Sequence, residues 1–285
     1  MMQKLVPGKA VDLDTGSVRV RRILGLNPGP MTGPGTNSYL LGTHSLTLID
    51  PGPIDAKQQQ NFLAAIGEGR LERILVTHTH GDHSPAAKQL AGLTGATLLG
   101  LNAPDVAGQD RSFVSDVDCR DGDLLHCVDG DVQFTLQLIH TPGHVSNHLC
   151  FLLREEGLLF TGDHVLQGTT PVILPPDGDM SDYLSSLKRL LSLPLVSLAP
   201  AHGEIMMAPF TEIENLIAHR LKREAKILAC LRRLAPCSDE DLVRSAYDDV
   251  GEHLIPWAKK TMAAHLIKLE KEGLARFESA LWIAR

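Results

Sequence analysis

Thr77-His78-Thr79-His80-Gly81-Asp82-His83 places three imidazoles and a carboxylate within six consecutive positions. Neutral imidazole nitrogens and carboxylate oxygens are donors suited to zinc, iron or manganese, and zinc takes them at about 2.0–2.2 Å. The preceding run, Arg73-Ile74-Leu75-Val76, is apolar and partly β-branched, and reads as a buried strand entering the cluster. Residues two apart in an extended chain share a face, so His78 and His80 stand side by side at the strand's end. Gly81 then lets the chain turn, and Asp82 and His83 project from a loop leading into a helix, with Ser84 as N-cap and Pro85 as first helical residue. Two ligand pairs leaving one corner in different directions serve two ions better than one.

Two ions need further ligands, and the chain offers them after similar punctuation. His144 lies in the turn Thr141-Pro142-Gly143-His144, after the alternating stretch Val132 to Ile139. Asp163 follows Leu159-Phe160-Thr161-Gly162, and His202 follows Leu198-Ala199-Pro200-Ala201. Each candidate sits where a strand gives way to a Gly or Pro turn, so all of them can converge on one rim of a sheet.

The ordered set His78-x-His80-x-Asp82-His83, His144, Asp163, His202 resembles the metallo-β-lactamase superfamily. The resemblance implies an α+β fold: an αβ/βα four-layer sandwich of two mixed sheets with helices outside and a dinuclear site on one edge. It assigns His78, His80 and His144 to a first metal, Asp82, His83 and His202 to a second, and Asp163 to a bridge between them. The implied cofactor is two zinc ions, with manganese or iron as alternatives, and the implied nucleophile is a hydroxide held between them. Asp82 is expected to orient that nucleophile as well as ligate. His148, four residues beyond His144, is the candidate for orienting a ligand or donating a proton, and Asp50 for similar support. Asn37 and Tyr39 are expected near the mouth, as substrate-binding residues.

The same residues argue against β-lactam hydrolysis. The best-known zinc β-lactamases place a cysteine where this chain has Asp163, and none of Cys119, Cys127, Cys150, Cys230 or Cys237 falls in a ligand motif. The pattern is closer to the glyoxalase II and RNase Z side of the superfamily. The full second-metal set disfavours both an iron persulfide dioxygenase and a metal-responsive regulator with a vestigial site.

Strand and helix signals alternate as far as about residue 210, in two αβ-rich halves. From Thr211 the texture changes to helices. The first keeps Ile217, Leu221, Ala225, Leu228 and Leu231 at helical spacing, and the second starts at the N-cap Ser238 before Asp239-Glu240-Asp241. The third runs from Trp257 or Ala258 to Glu272 and stops at Gly273, and two apolar runs around Glu278-Ser279-Ala280 suggest a terminal hairpin. A catalytic domain over residues 1–210 and a winged-helix-like domain over 211–285 are therefore expected. With Gly33-Pro34-Gly35-Thr36-Asn37-Ser38-Tyr39-Leu40 at the front, this arrangement is similar to the beta-lactamase-like protein 2 group. Eukaryotic members of that group cleave single-stranded RNA, which makes such RNA the implied substrate and a small thioester the alternative.

Charge gives a mixed answer. Residues 219–285 carry a net of +3 and residues 1–218 a net of −10, and a pI near 6.0 is not that of a dedicated nucleic-acid binder. Locally, Arg220, Lys222, Arg223, Lys226, Arg232 and Arg233, or Lys259 and Lys260, are placed to contact phosphates or to form a solvated helix face. An odd number of cysteines, no secretion-like N-terminus and no window near ~18 uninterrupted apolar residues lead to the expectation of a cytoplasmic protein without a membrane partner.

Overall fold

The computed structural model describes residues 5–285, so the first four residues of the expected catalytic domain lie outside it. The chain forms two compact units, one of residues up to Thr141 with Asn147–Pro171 and Leu193–Pro209, the other of Pro142–Ser146, Val172–Ser192 and Phe210–Arg285.

The first unit is built on two mixed sheets. One has six strands in chain order: β1 (Ala10–Asp12), β2 (Val20–Leu24), β3 (Asn37–Leu41), β4 (Ser45–Ile49), β5 (Arg70–Leu75) and β6 (Thr97–Leu99). The first four are antiparallel, and β4, β5 and β6 run parallel. The second sheet is ordered β11 (Ser197–Pro200), β10 (Leu158–Gly162), β9 (Leu149–Leu153), β8 (Val132–His140) and β7 (Leu124–Asp129), with only β10 and β11 parallel. Tyr39, Leu41, Ile49 and Leu75 of the first sheet pack with Phe134, Leu136, Leu138, Phe151 and Phe160 of the second in one core. Alternate residues of the first sheet, among them Ile23, Leu40, Leu48 and Ile74, pack on α1 (Ala56–Ile66) and α2 (Ala86–Thr94) through Phe62, Ile66, Ala87 and Leu90. Period-two alternation thus feeds two cores at once.

The helix starts differ from the sequence reading in one instructive place. Asp55 caps α1 by accepting from the Gln58 N–H, an ordinary N-cap. At α2, however, Ser84 does not cap: its hydroxyl donates to Asp110 Oδ2 at 2.6 Å, and the helix begins at Ala86.

In the second unit, α3 (Met180–Leu190) is capped by Asp179, which accepts from Ser181 and Asp182 N–H. The C-terminal part contains α4 (Pro209–Leu234), α5 (Asp239–Ala246), α6 (Ile255–Lys271) and a hairpin of β12 (Ala275–Glu278) and β13 (Leu281–Ala284). Ser238 caps α5 as its residue type requires, and Gly273, at φ 74°, ends α6. Ile227, Leu231, Leu242, Met262, Leu266, Leu269 and Trp282 form the core. Three helices and a hairpin make the winged-helix outline.

Candidate metal centre

Within the first unit the site is built from loops at the C-terminal ends of β5, β10 and β11. Strand β5 ends at Leu75, earlier than expected, and residues 76–79 run on without ladder pairing. His78 and His80 nevertheless meet: His78 Nε2 lies 2.9 Å from His80 Nδ1, with the rings edge to face.

The parallel pairing of β4 with β5 brings Asp50 beside Thr77. Asp50 Oδ1 accepts from the Thr77 N–H at 2.8 Å and Oδ2 from the Thr77 hydroxyl at 2.7 Å. The same Oδ2 lies 2.9 Å from Nδ1 of His83, and both side chains are buried. A proton on Nδ1, donated to Asp50, leaves the Nε2 lone pair of His83 available to a metal. That Nε2 has no hydrogen bond of good geometry and lies 3.4 Å from Asp82 Oδ2 and 3.5 Å from Asp163 Oδ1. His202 Nε2 lies 3.2 Å and 3.3 Å from the same two oxygens, while its Nδ1 faces the Gly35 carbonyl.

These four separations test the site for a metal. Donors about 2.0–2.1 Å from a tetrahedral ion stand roughly 3.3 Å apart, which is the spacing found here between imidazole nitrogen and carboxylate oxygen. Hydrogen-bonded pairs of these types would sit closer, near 2.7–2.9 Å. Charge points the same way. Burial opposes charge on His83 and His202, yet the carboxylates of Asp82 and Asp163 raise the affinity of both rings for a proton. Burial pushes the Asp82 carboxyl up, but His83 and His202 more than offset it and hold it well below the usual carboxylate range. The cluster demands positive charge, and its donors fit a divalent ion.

Six of the seven expected ligands are therefore brought together in this unit. His78, His83 and Asp163 form one potential ligand group, and Asp82, His83 and His202 another. His144 lies in the segment Pro142–Ser146 of the second unit, where it is buried with Nδ1 2.6 Å from the Val172 carbonyl.

Three expectations change. His148 is fully buried, with Nδ1 2.8 Å from the Thr141 hydroxyl and Nε2 accepting from the Asp163 N–H at 3.2 Å. It fixes the backbone of a candidate ligand and has no exposed atom for proton donation. Asn37 and Tyr39 are not at a mouth: both are 1% exposed. Asn37 Nδ2 donates to the Pro200 and Gly203 carbonyls at 3.0 and 2.8 Å, and the Tyr39 hydroxyl donates to Pro200 at 2.7 Å. Burial pushes the Tyr39 phenol far up, so it stays a donor. Both side chains brace the loop carrying His202, because β3 is covered on both faces.

Sequence reading missed Thr36 and Asn27. The Thr36 hydroxyl lies 3.3 Å from Asp82 Oδ2 as donor, and accepts from Asn27 Nδ2 at 2.9 Å. Gly162 is a second omission. At φ 49°, a Cβ there would stand 2.7 Å from His148 Nε2 and 2.8 Å from Thr77, so the turn into Asp163 requires glycine.

Residues 31–202 match the family model of the metallo-beta-lactamase superfamily, and residues 238–282 match the beta-lactamase associated winged helix domain. A beta-lactamase-like protein 2 homolog of Drosophila melanogaster is 34% identical over 90% of this chain and 89% of its own length. The chain belongs to the metallo-beta-lactamase superfamily, in the beta-lactamase-like protein 2 group. Superfamily membership agrees with the α+β architecture and with a His/Asp cluster that could hold a metal. An atrochrysone carboxyl ACP thioesterase of Aspergillus fumigatus is 36% identical over 78% of this chain and 68% of its own. A solved beta-lactamase domain protein from Burkholderia ambifaria shares the fold with TM-score 0.81, at 18% identity over 100% of this chain and 96% of that one.

Proposed function

We propose that this chain is a dinuclear zinc hydrolase of thioesters. The reaction class is carried by the cage of His83, His202, Asp82 and Asp163, whose nitrogen–oxygen separations of 3.2–3.5 Å match donors around one ion. His78 and His80 supply the second ligand set, for which the ligand order of the superfamily implies His144 as third donor. Asp163, 3.3 Å from His202 and grouped with His78 and His83, would be shared by the two sets. Two divalent ions there would polarise the scissile carbonyl and bring the pKa of water toward about 7. Asp82, held by the Thr36 hydroxyl, would orient a water activated there, while Asp50 fixes the tautomer of His83 and His148 fixes the Asp163 backbone.

The substrate class rests on charge. On α4, Arg223 pairs with Asp249 and stacks on Tyr247, Lys226 pairs with Asp248 and Asp249, Arg233 bonds Ser245, and Arg220 is buried over Tyr183. Lys259 pairs with Glu240. Most cations suited to phosphates thus serve the winged helix internally, and residues 1–218 are strongly acidic. The thioesterase relative supports the same choice. Single-stranded RNA is the second reading, favoured by the winged helix itself and by exposed Lys222 and Arg232. Five cysteines without a disulfide support a cytoplasmic location, and no helix among the described residues is long and apolar enough to cross a membrane.

Metal-analysed protein, with Asp82→Ala and chelated samples as controls, is to be assayed on a thioester panel, single-stranded RNA and double-stranded RNA. Turnover of thioesters alone, abolished in both controls, is the expected result. Metal-dependent cleavage of RNA with no thioester turnover would overturn it.

A further inference from the structure

The loop between β6 and β7 is tied to the ligand-bearing segment. The Asp110 N–H donates to the Thr79 carbonyl at 2.6 Å, the Thr79 hydroxyl to Gln109 Oε1 at 2.6 Å, and Ser84 to Asp110, while Gln109 bridges to the backbone of His80. Asn147 Nδ2 holds its start through the Leu101 and Asn102 carbonyls at 3.3 Å. A cleft of about 420 Å³ opens in this loop, lined by Asn102, Pro104, Asp105, Arg111, Phe113 and Val114. That volume is within the usual range of small-molecule sites. Phe113 is buried as its floor and Val114 is exposed.

Arg111 is the cleft's single cation among the described residues, and it is ion-paired to Asp105. Both partners are largely exposed, with side-chain accessibilities of 63% and 93%, so the pair contributes little and is easily exchanged. It keeps the guanidinium over the cleft without committing it. A phosphate offers that guanidinium two parallel charge-assisted hydrogen bonds. Such an anion must otherwise approach a catalytic region of net negative charge.

We propose that this cleft binds the phosphate-bearing thiol arm of a thioester substrate, with Arg111 leaving Asp105 to take the phosphate. The proposal rests on the thioester reading for its substrate, and the apolar wall of Pro104, Phe113 and Val114 suits the uncharged part of such an arm. Arg111 is here a specificity residue that touches substrate away from the reacting carbonyl.

The test compares one acyl group on three thiols: coenzyme A, a pantetheine-loaded carrier protein, and neutral N-acetylcysteamine. Arg111→Ala is expected to raise KM for both phosphate-bearing substrates by about tenfold with kcat unchanged, and to leave N-acetylcysteamine within about twofold. An effect on the carrier substrate alone, or on coenzyme A alone, identifies which source of the arm the cleft serves. Equal effects on all three substrates, or none, overturn the proposal. Isothermal titration with S-methyl 4′-phosphopantetheine, the arm common to both sources, separates this from failure of the activity. If metal-loaded protein cleaves no thioester, the function reading falls, while the cleft still requires that Arg111→Ala weaken this ligand by about tenfold. Unchanged affinity, or no binding to the wild-type protein, overturns the cleft.

Discussion

Asp50 Oδ2 lies 2.9 Å from Nδ1 of His83, across a parallel strand pair and wholly out of solvent. The contact sets which ring nitrogen of His83 faces Asp82 and Asp163, so a residue 33 positions upstream decides the ligand's chemistry. Asp50 itself sits at φ 51°, an unusual conformation for a non-glycine residue, held by bonds to Thr77 on both carboxylate oxygens.

Asp50→Asn preserves shape but removes the carboxylate acceptor. Chelator-competition titration should find one of two metal equivalents weakened by about 10–100-fold. Two equivalents of unchanged affinity would show that Asp50 is only a packing residue.

Tyr39→Phe should separate bracing from substrate contact. Loss of the buried bond to the Pro200 carbonyl should cost about 1–2 kcal/mol in denaturant unfolding, with KM unchanged. A raised KM at unaltered stability would restore Tyr39 to the substrate site.

Gly162→Ala puts a methyl against His148 and Thr77 at a positive φ. A stability loss of about 1–3 kcal/mol is expected, together with weakened metal binding as the Asp163 loop shifts. Thermal unfolding with and without added zinc measures both.

In the winged-helix unit, His265 Nδ1 lies 3.2 Å from Glu224 Oε2, and Lys268 holds Oε1 at 2.7 Å. Burial lowers the affinity of His265 for a proton and outweighs Glu224. Burial also opposes charge on Glu224, but His265 and Lys268 outweigh it and depress that carboxyl. Burial likewise lowers His219. For all three groups the unfolded chain takes up protons at higher pH than the folded one, so stability is complete above pH 6.5 and falls with decreasing pH. The histidines act first, below 6.5, and Glu224 adds its loss below 4.5. Trp257 and Trp282, the only tryptophans, both lie in this unit and report its unfolding by fluorescence. His219→Gln with His265→Gln should flatten the upper limb and shrink the lower one, because Glu224 then keeps Lys268 alone of the two partners that depress it.

Phe62→Ala removes a nearly buried ring between α1 and the first sheet. A loss of about 3–5 kcal/mol is expected, with metal stoichiometry unchanged in the folded fraction.

The candidate donors were legible because each sits beside its own turn signal: Gly81 after His80, Gly162 before Asp163, Pro200 and Gly203 around His202. Local chemistry of that kind is written in a few adjacent residues. The winged helix was legible for the same reason, from Ser238 at one helix start to Gly273 at another's end. Asn37 and Tyr39 were misplaced because alternation along a strand cannot tell a covered face from an open one, and β3 is covered on both.

The sequence by itself determined the candidate donors and their order, the family and the appended helical module, since these depend on residue type and short spacing. Only the tertiary structure decided that Asp50 stands behind His83, that Thr36 steadies Asp82, and that Asn37 and Tyr39 brace a loop. It also decided that Arg220, Arg223 and Lys226, half of the basic side chains of α4, are spent on acids and aromatic rings of their own unit. Those relationships join residues tens to more than a hundred positions apart, and their partners are chosen by strand register and helix packing, which no local pattern encodes.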